Sequence, residues 1–336
     1  MLAVSFCAVA AACGDGRAAR RSVSRVTGAI AQVAAAITGQ RPLVSDDVTP
    51  GTYMGFDTST YPGDAAMRAW RAGAPYEWAG YYLQSPCHPD PSWMGKRETL
   101  TSMGYGLALL YVGQQTWGRT PGKPRYIPVT VTKKVKVRVG HGKSRHTVTR
   151  TVTRTVMKQA PPPAPTDSCN ADFVTAGRGS IEGFDAAALA AREGFPRGAT
   201  IFLDIERMDA LPPIMRDYYT GWVRAVLADG RYRPGIYVHT DNANVVYSDV
   251  KRAYLNAGVR IEPPFWIAKA AGFDTKKPPR EMGHAFAAVW QGVLDVEQTW
   301  AGHSIPIDVN VAGTRNPSGG MPSFMSAALQ GTKISD

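Results

Sequence analysis

From Tyr53 onward the chain repeats one pattern: a short apolar run, a turn, then a stretch with helical spacing. The runs are Tyr53–Asp57, Trp78–Leu83, Gly106–Val112, Thr200–Glu206, Pro234–Val238, Phe265–Ala268, Phe286–Gln291 and Ile305–Asn310, eight in all. Runs this short and this apolar suit strands buried on both faces of a parallel sheet. Helical spacing is clearest over Ile181–Glu193 and Ile214–Asp229, and Gly230 is placed to stop the second. Eight strands alternating with helices over roughly 200 to 300 residues predict a single-domain α/β fold, a (β/α)8 TIM-barrel-like architecture. An open doubly wound sheet is the alternative, but no G-x-G-x-x-G follows the first run.

One segment breaks the rhythm. Val129–Val139 alternates apolar and polar residues, turns at Gly140–Ser144, and alternates again over Thr147–Val156. This predicts a long β-hairpin with Lys and Arg lining much of one face. Pro161-Pro162-Pro163-Ala164-Pro165 then forms a stiff spacer back to the domain. The barrel is therefore expected over residues 51–313 with 120–166 inserted, and residues 314–336 as a tail.

Charge sharpens this picture. The formal net charge of +11 lies in the insertion: between Glu98 and Asp167 there are twelve Lys and Arg and no acid. The rest of the chain is close to neutral. The basic arm fits an anionic polymer such as a teichoic acid, phospholipid surface or nucleic acid. Nucleic acid is the weakest of these, because Val129–Val156 has no aromatic residue for bases to stack on. The plainer alternative is an edge ribbon whose charges prevent strand-to-strand aggregation.

Residues 1–50 read as a leader and tether. Met1–Ala12 is apolar and rich in small residues, and Cys13 stands where a lipoprotein signal places its lipidated cysteine. The expected location is secreted or attached to the cell envelope; a short apolar helix is the alternative reading of the same residues. Cys87 and Cys169 flank the insertion and could bridge across its base in an oxidising compartment, or remain free buried thiols.

The chemistry centres on Ile201-Phe202-Leu203-Asp204-Ile205-Glu206. Alternation along a strand points Asp204 and Glu206 to the same side. Two acids facing one interior are costly unless solvated, paired or used for chemistry. Barrel strands converge at one mouth, which would gather Asp57, Asp204, Glu206 and Asp308 with Tyr237, Trp266, Trp290, Gln291 and Asn310 around them. Acids beside aromatic faces suit sugar chemistry, and crowding raises one carboxyl pKa so that it keeps a proton. The six histidines show no zinc spacing, no G-x-S-x-G elbow appears, and no metal or cofactor is expected.

Taken in order, Gly55-Phe56-Asp57, Phe202–Glu206, Gly235-Ile236-Tyr237, Phe265–Ala268, Trp290-Gln291 and Ile307–Asn310 resemble the bacterial glycoside-hydrolase-like family known as domain of unknown function 1906. Glu182-Gly183-Phe184-Asp185-Ala186 and Gly194-Phe195-Pro196 resemble the same family's approach to its central motif. The set is more distantly similar to the family 25 lysozymes, muramidases of bacterial cell walls. The resemblance implies a cell-wall glycan substrate, peptidoglycan foremost, hydrolysed by carboxylate acid/base chemistry. Glu206 would be the general acid, Asp204 would stabilise positive charge or orient an acetamido group, and Asp57 and Asp308 would complete the floor. Thr58-Ser59-Thr60-Tyr61-Pro62 departs from the lysozyme-like V-S-x-W-Q, so the sugar subsites are expected to differ. A non-catalytic glycan-binding barrel is the alternative, although binding alone does not call for four acids.

Overall fold

All eight apolar runs are strands of one closed barrel. The computed structural model describes residues 51–116, 126–160 and 168–319. The leader, the tether, the proline spacer and the last part of the tail lie outside the described residues. In chain order the strands are β1 (Tyr53–Asp57), β2 (Trp78–Tyr82), β3 (Gly106–Val112), β4 (Tyr126–Val139), β5 (His146–Gln159), β6 (Thr200–Ile205), β7 (Arg233–His239), β8 (Phe265–Ala268), β9 (Ala287–Trp300) and β10 (His303–Ala312). The barrel runs β1-β2-β3-β6-β7-β8-β9-β10 and closes on β1, while β4 and β5 pair only with each other.

Among the described residues five helices cover the barrel: α1 (Asp64–Gly73), α2 (Arg97–Ser102), α3 (Ala176–Arg192), α4 (Pro213–Asp229) and α5 (Thr240–Asn256). The two segments with the clearest helical spacing are α3 and α4. Thr175 caps α3 by accepting the Arg178 N–H at 3.2 Å. Proline opens α4, and Gly230 ends it in the left-handed region at φ 72°. Glycines let these two helices touch backbone to backbone. A Cβ at Gly179 would lie 2.0 Å from the Tyr218 carbonyl oxygen, and one at Gly183 2.6 Å from that of Trp222. The Glu182-Gly183-Phe184-Asp185 motif is thus partly a packing motif. Glu182, buried beside it, accepts from Gln114 and Arg178, each at 2.6 Å, and from the Tyr218 hydroxyl.

The last strand departs from a strict (β/α)8 pattern. β10 runs antiparallel to both β9 and β1. Only Ala301 and Gly302, both at positive φ, separate β9 from β10, whereas a parallel return needs a dozen residues or more. Just past β10, residues 316–318 stay on the barrel. Asn316 and Ser318 side chains accept the Leu107 and Leu109 N–H groups at 2.9 and 2.7 Å.

Inside the barrel, small and large residues interlock. A Cβ at Gly55 would strike the Trp78 ring at 2.1 Å, and one at Gly80 would lie 2.5 Å from the Asp57 Cβ. Trp266 meets Trp78, Phe202 and Tyr237 edge-on with ring centroids 5.5–5.7 Å apart, forming an aromatic floor.

The inserted ribbon spans Tyr126–Gln159 around a 3-10 turn at Gly142–Ser144. Its cations do not line a single face as expected. Lys134, Lys136 and Arg138 pair across from threonines on one face, while Lys133, Arg150, Arg154 and Lys158 fall among valines on the other. The reason is register: the turn sets which residues of β5 oppose β4, and that offset is invisible in either strand alone. Cys87 and Cys169 form a disulfide across the base of the insertion, 82 residues apart in sequence. Among the described residues no helix is long and apolar enough to cross a membrane.

Candidate active site

The four acids of the site come from three strands at the barrel mouth, β1, β10 and β6. Asp57 is the last residue of β1, and antiparallel pairing sets Asp308 of β10 directly opposite it. The reversal of β10 is what brings Asp308 to the mouth with Asn310 one inward position below. Asp204 lies inside β6, and Glu206 follows its last residue. Gln115, completely buried just past β3, clamps this turn: its Nε2 donates to the Asp204 carbonyl at 2.9 Å and its Oε1 accepts the Glu206 N–H at 3.2 Å.

The four carboxyls have unlike surroundings. Asp57 is buried but well supplied with donors, accepting from Asn310 Nδ2 at 2.6 Å, Tyr82 Oη at 2.7 Å and Gln291 Nε2 at 3.1 Å. Burial raises its pKa, and the three donors pull it back. Asp204 is 8% exposed, and its Oδ1 has no hydrogen-bond partner. Burial, then the charges of Glu206 and Asp57, push its carboxyl well above the usual range. Asp308 accepts from Gln291 Nε2 at 2.9 Å and the Asp295 N–H at 2.7 Å. Its pKa is raised to about 7 by burial and then by Asp57. Glu206 stands exposed at the rim, where partial desolvation raises its pKa against a lowering backbone hydrogen bond from Arg207.

Polar residues expected around the acids fall into place. Tyr237 donates its hydroxyl to Gln291 Oε1 at 2.6 Å, so the Gln291 amide is oriented with its NH2 toward Asp57 and Asp308. Asn310 is fixed in the same way by the Trp266 indole, whose Nε1 donates to Asn310 Oδ1 at 3.0 Å.

Both tryptophans expected as open ring platforms are instead fully buried. Trp266 belongs to the aromatic floor. Trp290 neighbours inward-pointing Gln291, so alternation turns it to the outer face, where its Nε1 donates to the Lys269 carbonyl at 2.8 Å. Three residues of the mouth escaped the sequence reading: Tyr82, Gln115 and His88. Tyr82 was within reach, since it shares its inward face with Trp78 and Gly80. His88 packs its ring 4.9 Å from Tyr82, and burial lowers its pKa. No sequence pattern marks either His88 or Gln115.

The model of the Rv2525c-like, glycoside hydrolase-like domain matches residues 68–312. The chain belongs to that family. Membership agrees with the barrel and with the ordered motifs that carry the resemblance. Solved structures similar to this Rv2525c-like chain include the Mycobacterium tuberculosis Tat-secreted protein Rv2525c in complex with L-tartrate, at 16% identity and TM-score 0.39 over 80% of this chain and 100% of that one. Another is the Clostridium perfringens spore cortex lytic enzyme SleM, at 12% identity and TM-score 0.45 over 79% of this chain and 68% of that one. A third is an uncharacterized B. stearothermophilus protein, at 16% identity and TM-score 0.46 over 77% and 95% of the two chains. No curated protein matches the sequence.

Proposed function

We propose that this glycoside-hydrolase-like barrel hydrolyses a glycan of N-acetylated sugars, peptidoglycan foremost, with Glu206 as proton donor. The observation that carries this reading is a division of labour among acids at one mouth: Asp204 is buried with an unpartnered Oδ1 and its pKa pushed well above the usual range, the pKa of Glu206 is raised at the rim, and Asp57 is surrounded by donors. Glu206 is the one a bound glycan reaches first. It gives its proton to the glycosidic oxygen as the bond to the anomeric carbon breaks; water then bonds to that carbon, and the proton it releases restores Glu206. Asp57, held among its three donors, places negative charge below the cationic sugar, and Asp308 lies directly opposite it. Asp204 Oδ1, orphaned inside the protein, is satisfied by a substrate polar group, and an acetamido group fits that need.

Export to the cell envelope, with Cys13 as a lipid anchor, belongs to the same proposal. The Cys87–Cys169 disulfide supports an oxidising compartment.

The deciding assay is release of reducing ends from purified peptidoglycan by wild type and by Glu206→Gln. General acid catalysis contributes about 10² to 10⁴ in rate, so the variant should lose at least about a hundredfold. Equal release by both would remove Glu206 from the role of proton donor, and binding of the glycan without release by either would assign the barrel to glycan binding instead.

A further inference from the structure

The β4–β5 ribbon has two chemically distinct faces. One presents Ile127 and eight valines, with Lys133, Arg150, Arg154 and Lys158 set among them. The other presents seven threonines with Lys134, Lys136 and Arg138, and its apolar residues Tyr126, Pro128 and Met157 are confined to the end away from the turn. No barrel strand pairs with the ribbon, and Val152 on the apolar face is 46% exposed. Among the described residues none of these seven cations forms an ion pair. Each strand is 14 residues long, so the apolar face is roughly 45 Å from end to end.

We infer that the valine face of this ribbon docks on an anionic lipid bilayer. A soluble polyanion would engage the cations and leave a long aliphatic strip in water, which a soluble surface seldom tolerates. A lipid interface satisfies both components together. The branched side chains enter the headgroup–acyl boundary, and the Lys and Arg stems lie along them with their charged ends among the phosphates. A second copy of the ribbon is a poor occupant. Stacking valine face on valine face would set four cations against four, with no acid anywhere in the ribbon to neutralise them. Threonines then face water. This proposal is independent of what the barrel does to a glycan.

The test uses the full chain and vesicle sedimentation, with phosphatidylglycerol and phosphatidylcholine vesicles, and a glycerol phosphate polymer in solution as a separate arm. Wild type should bind the anionic vesicles and not the zwitterionic ones. Substituting Val131, Val135, Val137 and Val148 by Thr keeps strand-forming shape but removes apolar contact. It should weaken vesicle binding at least about tenfold and leave polymer binding unchanged. Replacing Lys133, Arg150, Arg154 and Lys158 by Gln should weaken vesicle binding at least about a hundredfold, since each basic residue near such a surface contributes on the order of fivefold. Unchanged thermal unfolding of the barrel in both variants confirms that folding is intact. Vesicle binding insensitive to the valine changes, or absent in wild type, overturns the proposal. So does self-association in ultracentrifugation that the valine changes abolish.

Discussion

Asp57 and Asp308 stand opposite each other across the β1–β10 pair, and a single amide, Gln291 Nε2, donates to both carboxyls at 3.1 and 2.9 Å. Like charges directly opposite on neighbouring strands repel, and the shared amide offsets part of that repulsion beside the raised pKa of Asp308. Its other end is already committed to Tyr237, which fixes which way the amide points.

Gln291→Leu keeps the volume and removes every one of these hydrogen bonds. It leaves the Tyr237 hydroxyl and two carboxyls short of partners in a buried setting. The expected loss is about 1–3 kcal/mol in denaturant unfolding. The Asp308 pKa should also climb above its value of about 7, which carbon-detected NMR titration would show.

Asp308 also predicts a pH dependence of stability. Its pKa is raised from 3.8 to about 7 in the folded protein, so the folded state holds this proton more tightly than the unfolded chain. That contribution is complete below about pH 4 and is lost as pH rises toward 7. Asp308→Asn should therefore flatten the fall in Tm between pH 5 and pH 8 that this proton contributes in wild type. Buried His88 and half-buried His239 and His284 have lowered pKa values and act with the opposite sign below 6.5. The decisive quantity is accordingly the difference between the two proteins across the window. Parallel Tm profiles would contradict the assignment.

What the sequence revealed was mostly periodic. Eight apolar runs marked eight strands because both faces of a barrel wall are covered, and strict alternation marked the ribbon because neither of its faces is. The alignment of Asp204 with Glu206 followed from the two-residue repeat alone. Pairing and direction were hidden. An apolar run does not say whether it runs parallel, so β10 was read as a forward strand, and the ribbon's charges were assigned to one face without a register. Trp290 shows a different failure. The alternation used for Asp204 and Glu206 also separates Trp290 from Gln291, but ring-platform chemistry drew both residues to the mouth. Gln115 was unreadable because its role depends on a turn from another strand, 91 residues away, reaching its amide.

The disulfide offers a separate test. Closing a loop over a sequence separation of 82 residues restricts the unfolded chain by about 4 kcal/mol in the chain-entropy account. Replacing Cys87 and Cys169 together by Ala should lower Tm by several degrees under oxidising conditions. A reducing agent should produce a similar drop in wild type and none in the variant. An unaffected Tm would mean that the bridge constrains only the insertion.

Gln115 provides a test of how Glu206 is positioned. It touches no substrate in the proposed mechanism and acts only by holding the backbone on both sides of Ile205. Gln115→Ala removes both hydrogen bonds from a buried site, at a cost of about 1–3 kcal/mol in stability. If the barrel cleaves peptidoglycan, kcat should fall about tenfold while KM stays near its wild-type value, because the carboxyl loses its aim rather than its chemistry. The decisive comparison is a double-mutant cycle. When Glu206 is already Gln, there is no proton donor left to misplace, so adding Gln115→Ala should lower the residual rate no further. A full additional tenfold loss in the double variant would show that Gln115 serves the reaction by some route other than Glu206.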